Sequence, residues 1–189
     1  LSELPRIGAG ESDRRLAREA ALAQRIEHPN VLEVLDLGYL ADGAPYLVME
    51  RLRGEDLETS LTRLGRLPVP VACLVMRSIL RGLTAVHRAG VVHRDLKPNN
   101  IVVHIPEGGE PPVIKLIDFG VARGIGGEKL TRTGTVIGTP QYLSPEQARG
   151  GSVDARADIW AAGVLFYELL VGEGPFERPG LQETLASIL

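Results

Sequence analysis

The order of patterns along the chain predicts an α+β fold of two lobes, a small mixed lobe joined to a larger helical one. Two observations carry this. One helical stretch and two strand-like segments fill the first fifty residues. Beyond residue 70 long helical stripes dominate, with only a short strand pair between them.

In the small lobe, residues 1–11 show no clear period. Ser12 and Asp13 are good helix starters, and Leu16, Ala20, Ala23 and Ile26 then recur at helical spacing. His28-Pro29-Asn30 should end that helix, because proline disfavours helix in the residue before it. Strands are expected over 31–37 and 45–49, with the turn signal Ala41-Asp42-Gly43 between them. Gly54 breaks the pattern again. The division this suggests is 1–50 for the small lobe, 51–57 for a connecting segment and 58–189 for the helical lobe.

In the helical lobe, Val71, Val75, Ile79, Leu83 and Val86 form one stripe, which Gly90 closes. Residues 101–103 and 113–117 read as a strand pair around a Gly- and Pro-rich loop. Residues 120–138, rich in Gly and Thr, read as a long loop. Residues 159–170 are apolar nearly all round, the pattern of a fully buried helix. Cys73, inside the first stripe, is expected to be a small core residue.

Composition excludes several function classes. A net charge of −3 offers no basic field for nucleic acid or an anionic membrane surface. The apolar run from Ile159 to Tyr167 is broken by Glu168 and falls short of the roughly 20 residues a bilayer span needs. No secretory leader pattern opens the chain. A single cysteine leaves no internal disulfide, which fits a reducing compartment, so a cytoplasmic location is expected. His28, His87 and His104 lack metal-ligand spacing.

The chemistry is concentrated in two loops. His93-Arg94-Asp95-Leu96-Lys97-Pro98-Asn99-Asn100 follows the first long helix and precedes a strand. A charged loop held between rigid elements is a natural place for a reactive site. Asp118-Phe119-Gly120 directly follows the second strand of the pair. Phosphoryl transfer needs positioning and charge neutralisation more than covalent help. Mg²⁺ takes hard oxygen donors, usually with one or two protein carboxylates; Asp118 and Asn100 are suitable. Asp95 can accept the proton of an attacking hydroxyl, and Lys97 can offset charge on the transferred group.

These segments resemble, position by position, the H-R-D-L-x-x-x-N catalytic loop and D-F-G motif of eukaryotic-like (Hanks-type) Ser/Thr protein kinases of bacterial style. Gly138-Thr139-Pro140-Gln141-Tyr142-Leu143-Ser144-Pro145-Glu146 resembles the end of a kinase activation segment, with Ser144 in place of the usual alanine of A-P-E. Lys97 and Thr139 match the Ser/Thr-specific branch. The resemblance implies the bilobal protein kinase fold, ATP and Mg²⁺ as cofactors, and a protein substrate bearing Ser or Thr. It also implies Asp95 as base, Asn100 and Asp118 as metal ligands, and a kinase–kinase dimer for autophosphorylation.

Further roles follow from the same resemblance. Met49 would guard the back of the adenine pocket, or simply pack in the core. The backbones of Glu50 and Leu52 would bond the adenine edge, Asp56 would meet the ribose, and Val102 would complete the nucleotide contacts. Glu19 would pair with the strand lysine that grips the phosphates; a solvated helix glutamate is the other reading. A buried Arg94 asks for an anion, and a phosphate on Thr131 or Thr133 would supply one; Thr139 is the third regulatory candidate. Asp158, in a D-x-W helix start with Trp160, should bond the backbone at His93-Arg94, and His93 should pack under Phe119.

Two parts of the family pattern are not found in these 189 residues. Gly8-Ala9-Gly10 runs straight into a helix, so it is not the glycine-rich loop. The three lysines, at 97, 115 and 129, all fall at or after the catalytic loop. The expectation is therefore a kinase domain cut after the lysine strand and again after the central helix, with low activity alone. A pseudokinase or nucleotide-binding scaffold is the main rival. A small-molecule phosphotransferase is disfavoured by residues 138–146.

Overall fold

The computed structural model describes residues 21–41, 45–118 and 140–189. Among these residues two antiparallel sheets and five helices form the framework. Strands β1 (Val34–Tyr39) and β2 (Pro45–Met49) form a hairpin in register Leu37 to Leu47, with an irregularity between Val34 and Asp36. The second sheet has the order β3 (Gly54–Asp56), β4 (Ile101–His104), β5 (Val113–Leu116). Val31, expected at the start of β1, instead makes a lone parallel bridge to Leu116. Gly54 opens β3 rather than ending the pattern, because only a residue without Cβ fits. Its φ is 120°, and a Cβ there would collide with the Val103 carbonyl.

Helix α1 (Leu57–Leu64) has no counterpart among the sequence expectations. Its signals are Asp56, whose Oδ1 accepts from Thr59 N at 2.7 Å, and Gly65 at the C-terminal end. Helix α2 (Val69–Arg88) buries Val75, Ile79, Leu83 and Val86 of the stripe read from the sequence, together with Ala72 and Met76; Val71, expected in that stripe, lies in the first turn and is 42% exposed. By length and composition α2 could cross a membrane, but here that stripe packs into the core. Cys73 faces out of α2 and is exposed, against expectation: it lies between the buried positions 72 and 75–76 on the turn that faces away.

Helices α3 (Pro145–Ala148), α4 (Ala155–Val171) and α5 (Leu181–Ile188) follow. Helix α4 is not buried all round: Ile159 is 54% and Tyr167 46% exposed, while Leu165 and Leu169 are at 0%. Its apolar outer residues are spaced by about two turns on one face, so composition overstated its burial. Ile79 and Leu83 of α2 join Leu57, Leu96, Ile101, Leu116, Leu165 and Leu169 in one core. A second cluster of Ala23, Ile26, Val31, Leu32, Val34 and Val86 sits under the hairpin.

The segment at residues 28–32 ties the sheets together. Leu32 N donates to Leu116 O at 2.8 Å, Leu116 N to Asn30 O at 3.0 Å, and Asn30 Nδ2 to Ile114 O at 2.8 Å. This close approach requires Gly82 of α2, where a Cβ would stand 2.7 Å from Asn30 O and 2.8 Å from Leu116.

Candidate active site

The loop between α2 and β4 has little regular structure, yet its backbone is pinned from both sides. Asp158, in the first turn of α4 and 1% exposed, accepts from His93 N at 2.8 Å and Arg94 N at 2.7 Å, as the sequence suggested. His87 Nε2 lies 2.6 Å from the same carboxylate, a contact the lack of metal spacing around His87 gave no reason to expect. On the other side, Gln147 Nε2 donates to Arg94 O at 3.0 Å. Arg94 between these anchors has φ 65°, a left-handed conformation that costs a non-glycine residue about 1–2 kcal/mol. Arg94 itself is exposed, not buried. The fold buries the bonds of its peptide groups, not its guanidinium.

Asp95 follows. Its Oδ2 lies 3.0 Å from Lys97 Nζ, and Asn100 Nδ2 donates both to that oxygen at 3.1 Å and to Asp95 O at 2.8 Å. Pro98 starts a single 3₁₀ turn through Asn100, which returns the chain to Asp95. Asp95, Lys97 and Asn100 are thus one constellation, as the spacing predicts. Asp118 joins it through the backbone, since Ile117 N donates to Asn100 O at 3.0 Å. Asp118 adopts φ 57° immediately after β5, strain of the kind that collects at functional positions.

The donor set fits Mg²⁺. The Asn100 amide commits its nitrogen twice to Asp95, so its other polar atom is the hard carbonyl oxygen. Together with the Asp118 carboxylate it offers oxygen donors only, the set Mg²⁺ uses when substrate phosphates complete the shell. His93 is fully buried. Burial holds its imidazole below the ordinary range, against the raising effect of the Asp158 and Asp95 carboxylates. That direction favours the neutral imidazole; its expected packing partner, Phe119, lies outside the described residues.

The nucleotide candidates lie on β2, on the segment that follows it, and on the β3–β4 pair. Val102 is paired with both Asp56 and Lys115, so these positions share one sheet face. Lys115 extends from that face to Glu50 Oε1 at 2.5 Å and to Val31 O at 3.4 Å. Glu50 Oε1 also accepts from Glu33 N at 2.8 Å. The sequence reading assigned Glu50 a backbone role and missed this side-chain bridge. Leu52 packs against the cluster under the hairpin. Asp56 spends one carboxylate oxygen on the α1 cap. Met49 ends β2 at 42% exposure, so the core-packing reading of it does not hold. Glu19, Phe119, Thr131, Thr133 and Thr139 lie outside the described residues, as does the loop expected over 120–138.

The end of the 140–146 segment is anchored by a buried network. Tyr142 donates to Glu168 Oε2 at 2.5 Å, and Gln141 Nε2 donates to the Tyr142 hydroxyl at 3.0 Å. Burial raises the Glu168 carboxyl above its ordinary range, with the Tyr142 bond acting in the opposite direction. Ser144, the departure from A-P-E, is the N-cap of α3 and forms a capping box with Gln147.

This chain belongs to the protein kinase domain family, whose pattern matches residues 5–189; its α+β fold is the bilobal kinase fold in part. Curated proteins similar to it include bacterial Ser/Thr protein kinases. It is 46% identical over 167 residues to serine/threonine-protein kinase pkn3 of Myxococcus xanthus, covering 86% of this chain and 30% of that protein. It is 44% identical over 163 residues to serine/threonine-protein kinase PknL of Mycobacterium tuberculosis, covering 86% and 39%. With probable serine/threonine-protein kinase PknB of Corynebacterium glutamicum the figures are 42% over 168 residues, covering 86% and 25%. The chain thus spans between a quarter and two-fifths of these relatives.

Proposed function

We propose that this chain forms the catalytic centre of a protein kinase that transfers the γ-phosphate of ATP to Ser or Thr hydroxyls of proteins. The observation that carries the proposal is the gathering of Lys97 and Asn100 on one oxygen of Asp95, at 3.0 and 3.1 Å. In this reading the Asp95 carboxylate orients the acceptor hydroxyl and takes its proton. The Lys97 ammonium, beside it, stabilises negative charge as the phosphoryl group moves. Asn100 and Asp118 would hold Mg²⁺, which when bound offsets the charge of the phosphate oxygens. Val102, the backbones of Glu50 and Leu52, Met49 and Asp56 would line the adenosine site, and Glu19 would pair with the phosphate-gripping lysine. Residues 1–50, 51–57 and 58–189 are then small-lobe, hinge and large-lobe portions. Thr131, Thr133 and Thr139 are the regulatory candidates, and Arg94 is the cation that a phosphate on the first two would meet. A dimer serves autophosphorylation, and the single cysteine fits a cytoplasmic location for the reaction.

The test is transfer of labelled γ-phosphate from Mg-ATP to the full-length protein itself and to a generic basic protein. Asp95→Asn should lower kcat at least about a hundredfold while leaving nucleotide affinity near the native value. No transfer by the unmutated full-length protein would instead establish a pseudokinase.

A further inference from the structure

We propose that Gln147 is a positioning residue for Asp95, acting through the peptide group that joins Arg94 to Asp95. The catalytic half of this inference rests on the kinase reading above. The two peptide groups flanking Arg94 are held by different elements. The N–H of the first is bound by Asp158 of α4 at 2.7 Å, and the C=O of the second by Gln147 of α3 at 3.0 Å. With both planes fixed, Arg94 is held in its left-handed conformation, and the direction in which Asp95 leaves the loop is fixed with it. The N–H of that second peptide belongs to Asp95 and reaches His93 Nδ1 only at 3.4 Å. The bond from Gln147 is therefore the shorter of these two on this plane.

The amide of Gln147 is itself oriented. Its Oε1 accepts from Ser144 N at 3.0 Å, and its own backbone N donates to Ser144 Oγ at 3.4 Å. A capping box needs only an acceptor at this position, so Glu or Gln would cap α3 equally well. Only Gln can accept from Ser144 and donate to Arg94 O with the same planar group, because a carboxylate has no N–H. The choice of Gln147 is explained by the bridge, not by the cap. Since α3 directly follows residues 140–143, any displacement of that segment reaches Asp95 through this bridge.

Gln147→Glu separates the two roles, keeping the cap and deleting the donor; Gln147→Met deletes both. Two readouts are taken on the full-length protein: steady-state phosphoryl transfer, and amide exchange of the segment covering residues 93–97 compared with α2. In Gln147→Glu, exchange at 93–97 should quicken about tenfold with α2 unchanged. kcat should fall about ten- to a hundredfold, with KM for ATP within about twofold. Gln147→Met should show the same fall in kcat together with a lower Tm. Unchanged exchange at 93–97 in Gln147→Glu overturns the proposal whether or not the protein transfers phosphate, and faster exchange with kcat untouched overturns it too. If exchange responds but the unmutated protein transfers nothing, the brace stands and the kinase reading fails.

Discussion

Lys115 Nζ lies 2.5 Å from Glu50 Oε1, joining the strand that leads into Asp118 to the residue just after β2. Both side chains are largely shielded, at 12% and 22% exposure, and Glu50 also accepts from Glu33 N. Lys115→Met leaves that carboxylate without its cation. The expected cost is about 1–3 kcal/mol in urea unfolding, tempered by the remaining exposure. The double change Lys115→Met with Glu50→Gln should cost less than the two single changes added together. Strict additivity would show that the pair contributes no coupling.

Asp118→Asn tests the metal assignment. Replacing the carboxylate removes the one formal negative charge the proposed donor pair supplies. Half-saturation by Mg²⁺ in nucleotide binding should move up by about tenfold or more, read by titration calorimetry with an ATP analogue. The fold should survive, and an unchanged Mg²⁺ requirement would remove Asp118 from the site.

Glu168 makes stability depend on pH. Its folded carboxyl is raised above the ordinary value of 4.5, chiefly by burial. The folded state therefore holds the proton more tightly than the unfolded state. The contribution is fully present below about pH 4.5 and is lost as pH rises through the folded value. Glu168→Gln keeps a carbonyl acceptor for Tyr142 and removes the titration. The variant should gain stability relative to the native protein as pH rises from about 4.5 to about 7.5, measured by urea midpoints. A difference that stays flat with pH would refute the assignment.

Gly82→Ala pits two effects against each other. In a helix interior the change ordinarily gains about 1 kcal/mol. Here the new Cβ would sit 2.7 Å from Asn30 O, a backbone oxygen already bonded to Leu116 N. Overpacking of this kind costs about 1–3 kcal/mol, and loss of the Leu116 bond adds to it. Net destabilisation of about 1–2 kcal/mol is expected by thermal unfolding, and a stabilised variant would show that the 28–32 segment yields freely.

The constellation of Asp95, Lys97 and Asn100 was legible in the sequence because its members lie within a few residues of one another. The spacing from Asp95 to Asn100 is enough to return an amide to a carboxylate through one proline-started turn. Helix α2 was legible because one face is apolar at a steady period. What escaped notice depends on distant partners. Nothing near Glu50 announces Lys115, and nothing near Arg94 announces Gln147. The Ser144-Pro145-Glu146-Gln147 sequence does carry a capping-box signature, but that signature names a cap and not the distant Arg94 carbonyl that Gln147 also meets. Cys73 and Ile159 were misplaced because apolar composition says nothing about which face a neighbour covers.

The two bonds from Asp158 to His93 N and Arg94 N span more than sixty residues of chain. This sets an order of events during synthesis. A nascent chain that has emerged through Asp118 already carries Asp95, Lys97, Asn100 and Asp118, yet has nothing to hold the peptide groups around Arg94. Those peptide groups gain the Asp158 carboxylate only when α4 leaves the ribosome and docks, so this loop is fixed late, after all four of these side chains have been made.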